Sequence, residues 1–383
     1  MWAKVPFYLR ATISLFGICL VGVIFITGRN ILVPIAFAIL LSMLLLPMNN
    51  WMERKLPRVI AIIFSIFIAL ITILGILYFL SIQMAGFVQD MPAIKKQLLE
   101  HAHTLQVWVW ETFKITGRQQ SEYFNNAAAK IKSEGMVEQS LLSLTDVVVL
   151  LVLLPVYTFL ILYYRPMIRK FFMDIMANKY AEDVNEVLNK SKSIVQSYMA
   201  GLLIEMAIVA SLNALGFFLI GIEYAVFLAV LAAILNLIPY IGMLIANVIC
   251  MLVTLTTTQN FSDIIWVGLV LLMVQFLDNN ILMPRIVGSK VKINALITIL
   301  GVLIGGALCG ISGMFLAIPS VAILKVIFDK TDGLKPWGML LGDDITPYEP
   351  SVIYRRLTTW RQKPKAIVPQ KVDLPPMQEN VMQ

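Results

Sequence analysis

Charged side chains, histidines and cysteines are all scarce in this chain of 383 residues. Charged residues make up 14% of it, whereas a soluble domain has about 25%, so an ordinary soluble protein is excluded. His101 and His103 lack the nearby cysteines or spaced acids of a zinc site, and three cysteines predict no disulfide framework. A Gly-Lys-Ser/Thr phosphate loop is also absent, which argues against transport driven by nucleotide hydrolysis in this chain. We therefore expect no enzyme activity, no metal and no cofactor.

Long apolar runs dominate the chain instead. Hydrophobic residues are 59% of the sequence, and several uncharged runs reach the roughly 20 residues that a helix needs to cross a bilayer. These runs are continuous rather than alternating, so they predict helices and not barrel strands. The predicted fold class is an all-α polytopic membrane protein with about eight apolar segments: six full spans and two helical hairpins broken by glycine and proline.

The first two apolar runs, residues 11–27 and 31–46, predict a helical hairpin that turns at Gly28-Arg29-Asn30. Basic residues then cluster in a short connector, and short loops rich in lysine and arginine usually lie in the cytoplasm. We therefore expect the N-terminus, this connector and the C-terminus to be cytoplasmic. The basic residues of the connector are Arg54, Lys55 and Arg58.

Changes in polarity along the sequence predict six parts. The polar insertion before the midpoint has mixed charge and helical periodicity, which indicates a small extracytoplasmic helical domain. The parts are three spans in residues 1–87, the extracytoplasmic domain in 88–145, a fourth span in 146–164, a cytoplasmic helical segment in 165–197, a transport core in 198–328 and a partly disordered cytoplasmic tail in 329–383.

Two apolar stretches of the core, residues 225–257 and 293–328, are too long for one comfortable crossing. The charges around them place both ends of each stretch on one side of the membrane, so each stretch is predicted to turn back. The first turn is expected in 236–242, where proline removes a backbone donor and glycine permits a reversal, and the second in the glycines of 305–313. The hairpins would enter from opposite sides and form an inverted repeat. Pairs of ordinary spans with tight turns are the alternative.

Polar residues within the core are candidates for a transport pathway, because ionisable groups at membrane depth cost several kcal/mol unless they are paired. Gln275 and Asp278 share a helix face, and Asp278 is a candidate carrier of a proton or cation. Glu205 has a plainer interpretation, as a carboxylate near the cytoplasmic interface that snorkels to the headgroups or pairs with Lys192. The plainer interpretation of residues 275–280 is a polar helix end at the level of the lipid headgroups. The plainer interpretation of the glycines in 305–313 is close helix packing. The predicted pathway residues are Glu205, Asn213, Asn236, Pro239, Tyr240, Gly242, Gln275, Asp278, Asn279, Asn280, Pro284, Gly305, Gly306, Gly310 and Gly313.

Three motifs, in residues 236–242, 275–288 and 305–319, together resemble the autoinducer-2 exporter (AI-2E) family of bacterial membrane proteins. The resemblance implies a multispanning inner-membrane permease that forms a homo-oligomer. It also implies export of the signal autoinducer-2 or, as in some members, exchange of sodium or lithium for protons. Two departures are notable: members commonly have His-Pro where this chain has Asn294-Ala295, and proline where it has Met243. The missing imidazole weakens the case for proton coupling near the second hairpin.

The leading hypothesis is a secondary transporter that exports a small polar organic solute, by resemblance autoinducer-2 or a related metabolite. Both hairpin tips and residues 275–280 would line its site. One alternative is a sodium(lithium)/proton antiporter with Asp278 and Glu205 as ion carriers, and another is a non-transporting membrane scaffold. The expected partners are the lipid bilayer, the solute and sodium ions or protons. Nucleic acid is not expected, because the basic residues behind the net charge of +7 flank apolar runs.

Overall fold

A computed structural model describes residues 6–89, 144–175, 180–239, 241–258, 260–288 and 293–343. Most of the predicted extracytoplasmic domain, and the predicted tail from residue 344 onward, lie outside these residues. All regular structure in the described part is helical. It consists of α1 (Phe7–Met52), α2 (Arg58–Gln89), α3 (Leu144–Ile175), α4 (Ala181–Ile220), α5 (Ala225–Asn236), α6 (Ile241–Thr257), α7 (Phe261–Leu277), a π-helix (Asp278–Gly288), α8 (Ala295–Lys330) and α9 (Lys335–Leu341).

Six helices of the described part are long and apolar enough to cross a membrane, which makes this a multi-pass membrane protein. α5 has 12 residues, so it is about 18 Å long and too short for a hydrocarbon core of about 30 Å. The six segments are Thr12–Met52, Arg58–Phe87, Leu151–Ile175, Ala181–Ile220, Ser262–Ile286 and Ala295–Lys330.

The predicted turn at Gly28-Arg29-Asn30 is wrong, because α1 continues through it as one helix of 46 residues. A turn would leave backbone donors and acceptors unpaired in lipid, whereas a single glycine inside a helix costs only about 1 kcal/mol. The helix is therefore about 69 Å long, and the first two predicted spans are one element. The prediction of a cytoplasmic N-terminus assumed that this part of the chain crosses the membrane twice. A single continuous helix does not support that assumption.

The helices pack around several apolar clusters. Leu45, Ile62 and Leu162 join α1, α2 and α3 in one cluster. A larger cluster joins the end of α4 to α5, α6 and α7 around Phe217, Leu228, Cys250 and Val267. A third links α1, α4 and α8 through Leu40, Val195 and Leu316. α4 contributes to both of the last two clusters, so it is the central element that positions the site.

The chain is interrupted between α5 and α6, inside the predicted break at 236–242. The two helices are antiparallel, because Gly242 approaches Leu235 while Cys250 lies opposite Leu228, with its Sγ 3.8 Å from the Leu228 carbonyl oxygen. A Cβ atom on Gly242 would overlap the Leu235 carbonyl, so this close approach requires glycine. The orientation of the pair relative to the bilayer stays a prediction.

α8 is also interrupted, at Cys309 and Gly310, inside the predicted break at 305–313. Cys309 has φ −133° and ψ 18°, and Gly310 has φ 62° and ψ −147°, a combination that is almost confined to glycine. The segments on either side fold against each other, because the backbones of Gly305 and Gly313 are in direct contact and Gly301 faces Ala317. Whether this segment enters the bilayer from one side also stays a prediction.

The chain after α8 remains folded through residue 343, within the predicted tail. α9 packs against α8, and Gly338 lies directly against Asp329. Asn294, the N-cap of α8, donates its Nδ2 to the carbonyl oxygens of Leu340 at 2.6 Å and Gly342 at 3.1 Å. The start of α8 is therefore fastened to the end of α9.

Candidate transport site

One face of α4 is buried along most of its length and carries three buried polar residues, Ser191, Glu205 and Asn213. Its buried positions recur every three or four residues, which is the repeat of a single helix face. Glu205 is 6% exposed and Asn213 is 3% exposed, so both point into the protein rather than toward lipid. Among the described residues Glu205 forms no ion pair with Lys192, so the plainer interpretation of this carboxylate is not what the structure shows.

Asp278, at the junction of α7 and the π-helix, is 2% exposed and accepts side-chain hydrogen bonds. Its Oδ2 accepts from Asn236 Nδ2 at 3.0 Å and, more weakly, from Gln275 Nε2 at 3.5 Å. Gln275 Nε2 also donates to Asn279 Oδ1 at 3.0 Å. Four of the predicted residues therefore form one network that ties the end of α5 to the start of the π-helix.

Glu205 adjoins this network, because its buried carboxyl group lies next to the buried carboxyl group of Asp278. No partner among the described residues bonds one buried oxygen of each carboxyl group, Glu205 Oε2 and Asp278 Oδ1, or Oδ1 of Asn213 about two turns further along α4. Two ionised carboxylates in contact repel strongly in a medium of low dielectric constant, so such a pair requires a shared proton or a cation. The arrangement suits a proton, an alkali ion or the donor groups of a polar solute.

A small cavity lies beside the network, with a free volume of about 10 Å³, room for about one water molecule. Amide side chains of Asn213, Asn236, Asn247 and Gln275 line it together with apolar residues. Asn247 was not among the predicted residues. In the sequence Asn247 is distinguished only as the first polar residue of the apolar helix α6, which does not show what it faces.

The helix that follows Asp278 is wider than an α-helix, and π-helical segments are frequent at functional sites. Pro284 lies inside it and cannot donate a backbone hydrogen bond, so a carbonyl about one turn earlier loses its usual donor. Asn280 is exposed and donates its Nδ2 to the Phe276 carbonyl oxygen of its own helix at 2.8 Å. Asn280 therefore lies outside the Asp278 network.

Apolar residues close one side of the network. Tyr198 and Leu202, on the same face of α4 as Glu205, form a cluster with Ile318 of α8. Leu237 from the break after α5 and Ile286 of the π-helix pack against this cluster. The first break, the π-helix and the second half of α8 thus meet at one place, next to the buried carboxyl pair.

The remaining predicted residues that the structure describes are not part of the hydrogen-bonded network. Pro239 lies in the turn between α5 and α6, and Tyr240 is outside the described residues. The glycines of α8 contact their own helix: Gly305 meets Gly313, Gly306 meets Met314, and Gly310 forms the bend. Their participation in a pathway stays a prediction.

The fold and the site together define a polytopic helical membrane protein with a buried polar network between interrupted helices. A family model described as AI-2E family transporter matches residues 13–333. The chain therefore belongs to the AI-2E transporter family, and it is a membrane transporter.

Several relatives match most of the chain. YrrI of Bacillus subtilis is 26% identical over 314 residues, which are 78% of this chain and 86% of the relative. YhhT of Escherichia coli K12 is 26% identical over 82% of this chain and 89% of its own length. The AI-2 transport protein TqsA of E. coli K12 is 23% identical over 86% of this chain and 94% of its own length. The family resemblance seen in the motifs is thus confirmed over the whole membrane region.

Proposed function

We propose that this protein is a secondary transporter of the bacterial inner membrane that exports a small polar organic solute through the region around Glu205 and Asp278. The observation that supports this most directly is the Asp278 network, in which two buried carboxyl groups, those of Glu205 and Asp278, lie with the half-buried amides of Asn236 and Gln275 between α4, α5 and α7. Burying such groups costs free energy that a purely structural helix bundle would avoid. TqsA is named an AI-2 transport protein, so autoinducer-2 is the first solute to test.

The surrounding backbone supports movement at this site. Asn236 immediately precedes the break between α5 and α6, and Asp278 begins the π-helix, so the hydrogen bond between them joins two irregular segments. In many secondary transporters the binding site lies where helices are interrupted near the middle of the bilayer. We propose that the two interrupted segments are re-entrant hairpins of opposite orientation. Their movement would expose the site to each side of the membrane in turn.

Cation–proton exchange is a second candidate function, and the contact between Glu205 and Asp278 is the observation that favours it. Two carboxyl groups with free oxygens can hold either a proton or an alkali ion, so binding of one would displace the other. A non-transporting scaffold gains no comparable support, because partner recruitment does not require a buried carboxyl pair.

Transport by purified protein in proteoliposomes tests these candidates. When autoinducer-2 is loaded inside, liposomes with the wild-type protein should release it faster than loaded liposomes without protein. Asp278→Asn should abolish this difference. Asp174→Asn, which changes an exposed acid of α3, is the matched control and should transport normally. Equal release by wild type and Asp278→Asn would refute the proposed site. Proton movement driven by an imposed sodium gradient, without solute release, would favour cation–proton exchange. The absence of both activities would favour the non-transporting scaffold.

A further inference from the structure

A groove runs along the contact between α2 and α3, away from the Asp278 network. Val59, Ile63 and Phe67 follow one another at intervals of four residues on α2, so they form one stripe along the groove. The groove contains two cavities, with free volumes of about 510 Å³ and 320 Å³. The first is lined by Pro57, Arg58, Val59, Tyr163, Tyr164, Pro166 and Met167. The second is lined by Ile63, Ile66, Phe67, Pro155, Val156, Phe159 and Leu160.

Arg58 is fixed at the mouth of this groove by the backbone of α3. Its Nη2 donates to the carbonyl oxygens of Leu162 at 2.9 Å and Tyr163 at 2.7 Å. Pro166 has no N–H group to bond the Leu162 carbonyl within the helix, so Arg58 supplies the missing donor. The guanidinium also lies 5.6 Å from the centre of the Tyr163 ring. These contacts therefore fix the position of the Arg58 guanidinium.

The charge at the mouth is positive and only partly neutralised. The acidic group there, Glu53, pairs with Arg165 at 2.6 Å, whereas the Arg58 Nε atom is 3.9 Å away from it. That Nε atom is buried and has no hydrogen-bond partner. Arg54 and Lys55 add two more positive charges in the same connector. The mouth thus favours an anion that can accept hydrogen bonds.

The side chains also indicate how the groove is placed in the membrane. Trp51, Tyr163 and Tyr164 are exposed near the mouth, and exposed tryptophan and tyrosine are enriched at the level of the lipid headgroups. The second cavity, one to two turns further along both helices, is lined by apolar side chains alone. The groove therefore changes from basic and aromatic at the headgroup level to purely apolar at the depth of the acyl chains.

We propose that this groove is a binding site for an anionic phospholipid, with the phosphate at Arg58 and an acyl chain along Ile63, Phe67 and Val156. Basic pockets between membrane helices recognise anionic headgroups in this way. The apolar cavity alone would accept any lipid chain. The arginine at the mouth supplies the preference for a negative headgroup.

Native mass spectrometry of the full-length protein can measure this preference directly. Dioleoylphosphatidylglycerol should bind about fivefold more tightly than dioleoylphosphatidylcholine, the effect expected from one engaged basic residue. Arg58→Gln should remove the difference, and its thermal unfolding would be measured alongside because Arg58 also donates to two carbonyl oxygens within α3. Equal binding of the two lipids by the wild type would overturn the proposal.

A second variant tests the apolar part without changing any charge. Ile63→Trp should fill the groove and weaken the binding of both lipids, because it blocks the acyl-chain part and leaves Arg58 in place. Ile71→Trp is the matched control, because Ile71 is equally exposed on α2 but lines neither cavity. Unchanged lipid binding by Ile63→Trp would overturn the proposal. A change in its oligomeric state with lipid binding intact would do so too, and would assign the groove to contact with a second copy.

Discussion

Asn236 and Asp278 are joined by a hydrogen bond of 3.0 Å between the amide Nδ2 and the carboxylate Oδ2, although 42 positions separate them in sequence. Asn236 ends α5 just before the break, and Asp278 starts the π-helix. A displacement of either segment must therefore break this bond or move both segments together. The bond is the most direct physical link between the interrupted helix and the buried carboxyl pair.

Replacing Asn236 with alanine should lower the free energy of unfolding by about 1–3 kcal/mol, because a buried carboxylate loses a hydrogen-bond donor. Solute release from proteoliposomes should fall as well. Thermal unfolding in detergent and the transport assay measure the two effects. Asn189→Ala, at an exposed position of α4, serves as the control and should change neither quantity. Wild-type transport by Asn236→Ala would show that this bond is not needed for the transport cycle.

Glu205→Gln should raise the stability of the protein while it lowers transport. Glu205 and Asp278 are both buried, so replacing one of the two carboxyl groups by an amide removes part of the cost of burying them, and the free energy of unfolding should rise by on the order of 1 kcal/mol. Transport should nevertheless decrease, since the pair can no longer exchange a proton or cation.

The matched control for this experiment is Glu182→Gln, in the exposed first turn of α4. A carboxylate there interacts favourably with the helix dipole, so its removal should give no gain in stability. Thermal unfolding of both variants under identical conditions gives the comparison. A destabilised Glu205→Gln would mean that the carboxyl group is held by donors rather than opposed by Asp278.

The positions of both interruptions could be predicted from sequence, because proline and glycine act locally. Pro239 and Gly242 mark the break after α5, and Gly310 supplies a backbone conformation that other residues avoid. The same reasoning failed at Gly28, where a glycine is tolerated within a helix. A local pattern shows where a chain can turn. Whether it does turn depends on what the neighbouring helices bury.

The site was only partly predictable for a different reason. Gln275 and Asp278 lie three residues apart on one helix, so their shared face follows from sequence alone. The contact between Glu205 and Asp278 joins two helices, and nothing in the spacing of those residues encodes it. Asn247 was missed because a single asparagine on an apolar helix has no partner in its own sequence neighbourhood. Tertiary packing alone shows that it faces the cavity.

Gly310→Ala should destabilise the protein by about 1–3 kcal/mol, because φ of 62° with ψ of −147° is strained for any residue with a Cβ atom. No other atom lies close to the added methyl group, so the effect would come from the backbone itself. Gly75→Ala is the control: Gly75 is also uncrowded but lies in the regular helix α2, where alanine should stabilise slightly. Equal stability of the two variants in thermal unfolding would contradict the sharp bend at residue 310.

Asn294 makes two kinds of contact that can be separated by substitution. Its Oδ1 accepts from the Ile297 backbone N–H at 2.8 Å and caps α8, while its Nδ2 bonds the carbonyl oxygens of Leu340 and Gly342 at the end of α9. Asn294→Ala should lose both contacts and about 2 kcal/mol of stability. Asn294→Ser should retain the cap, because serine is a good N-cap residue, but it has no amide to reach α9.

Hydrogen exchange distinguishes the two contacts, because it reports on α9 and on the start of α8 separately. In Asn294→Ala both regions should exchange faster than in the wild type. In Asn294→Ser only residues 335–343 should do so, since the first turn of α8 keeps its acceptor. Unchanged exchange of residues 335–343 in both variants would mean that the packing of Gly338 against Asp329 holds α9 without Asn294. The backbone N–H of Asn294 also bonds the Leu341 carbonyl oxygen at 3.2 Å, a contact that both substitutions keep, so any change in exchange of residues 335–343 reports on the side-chain amide.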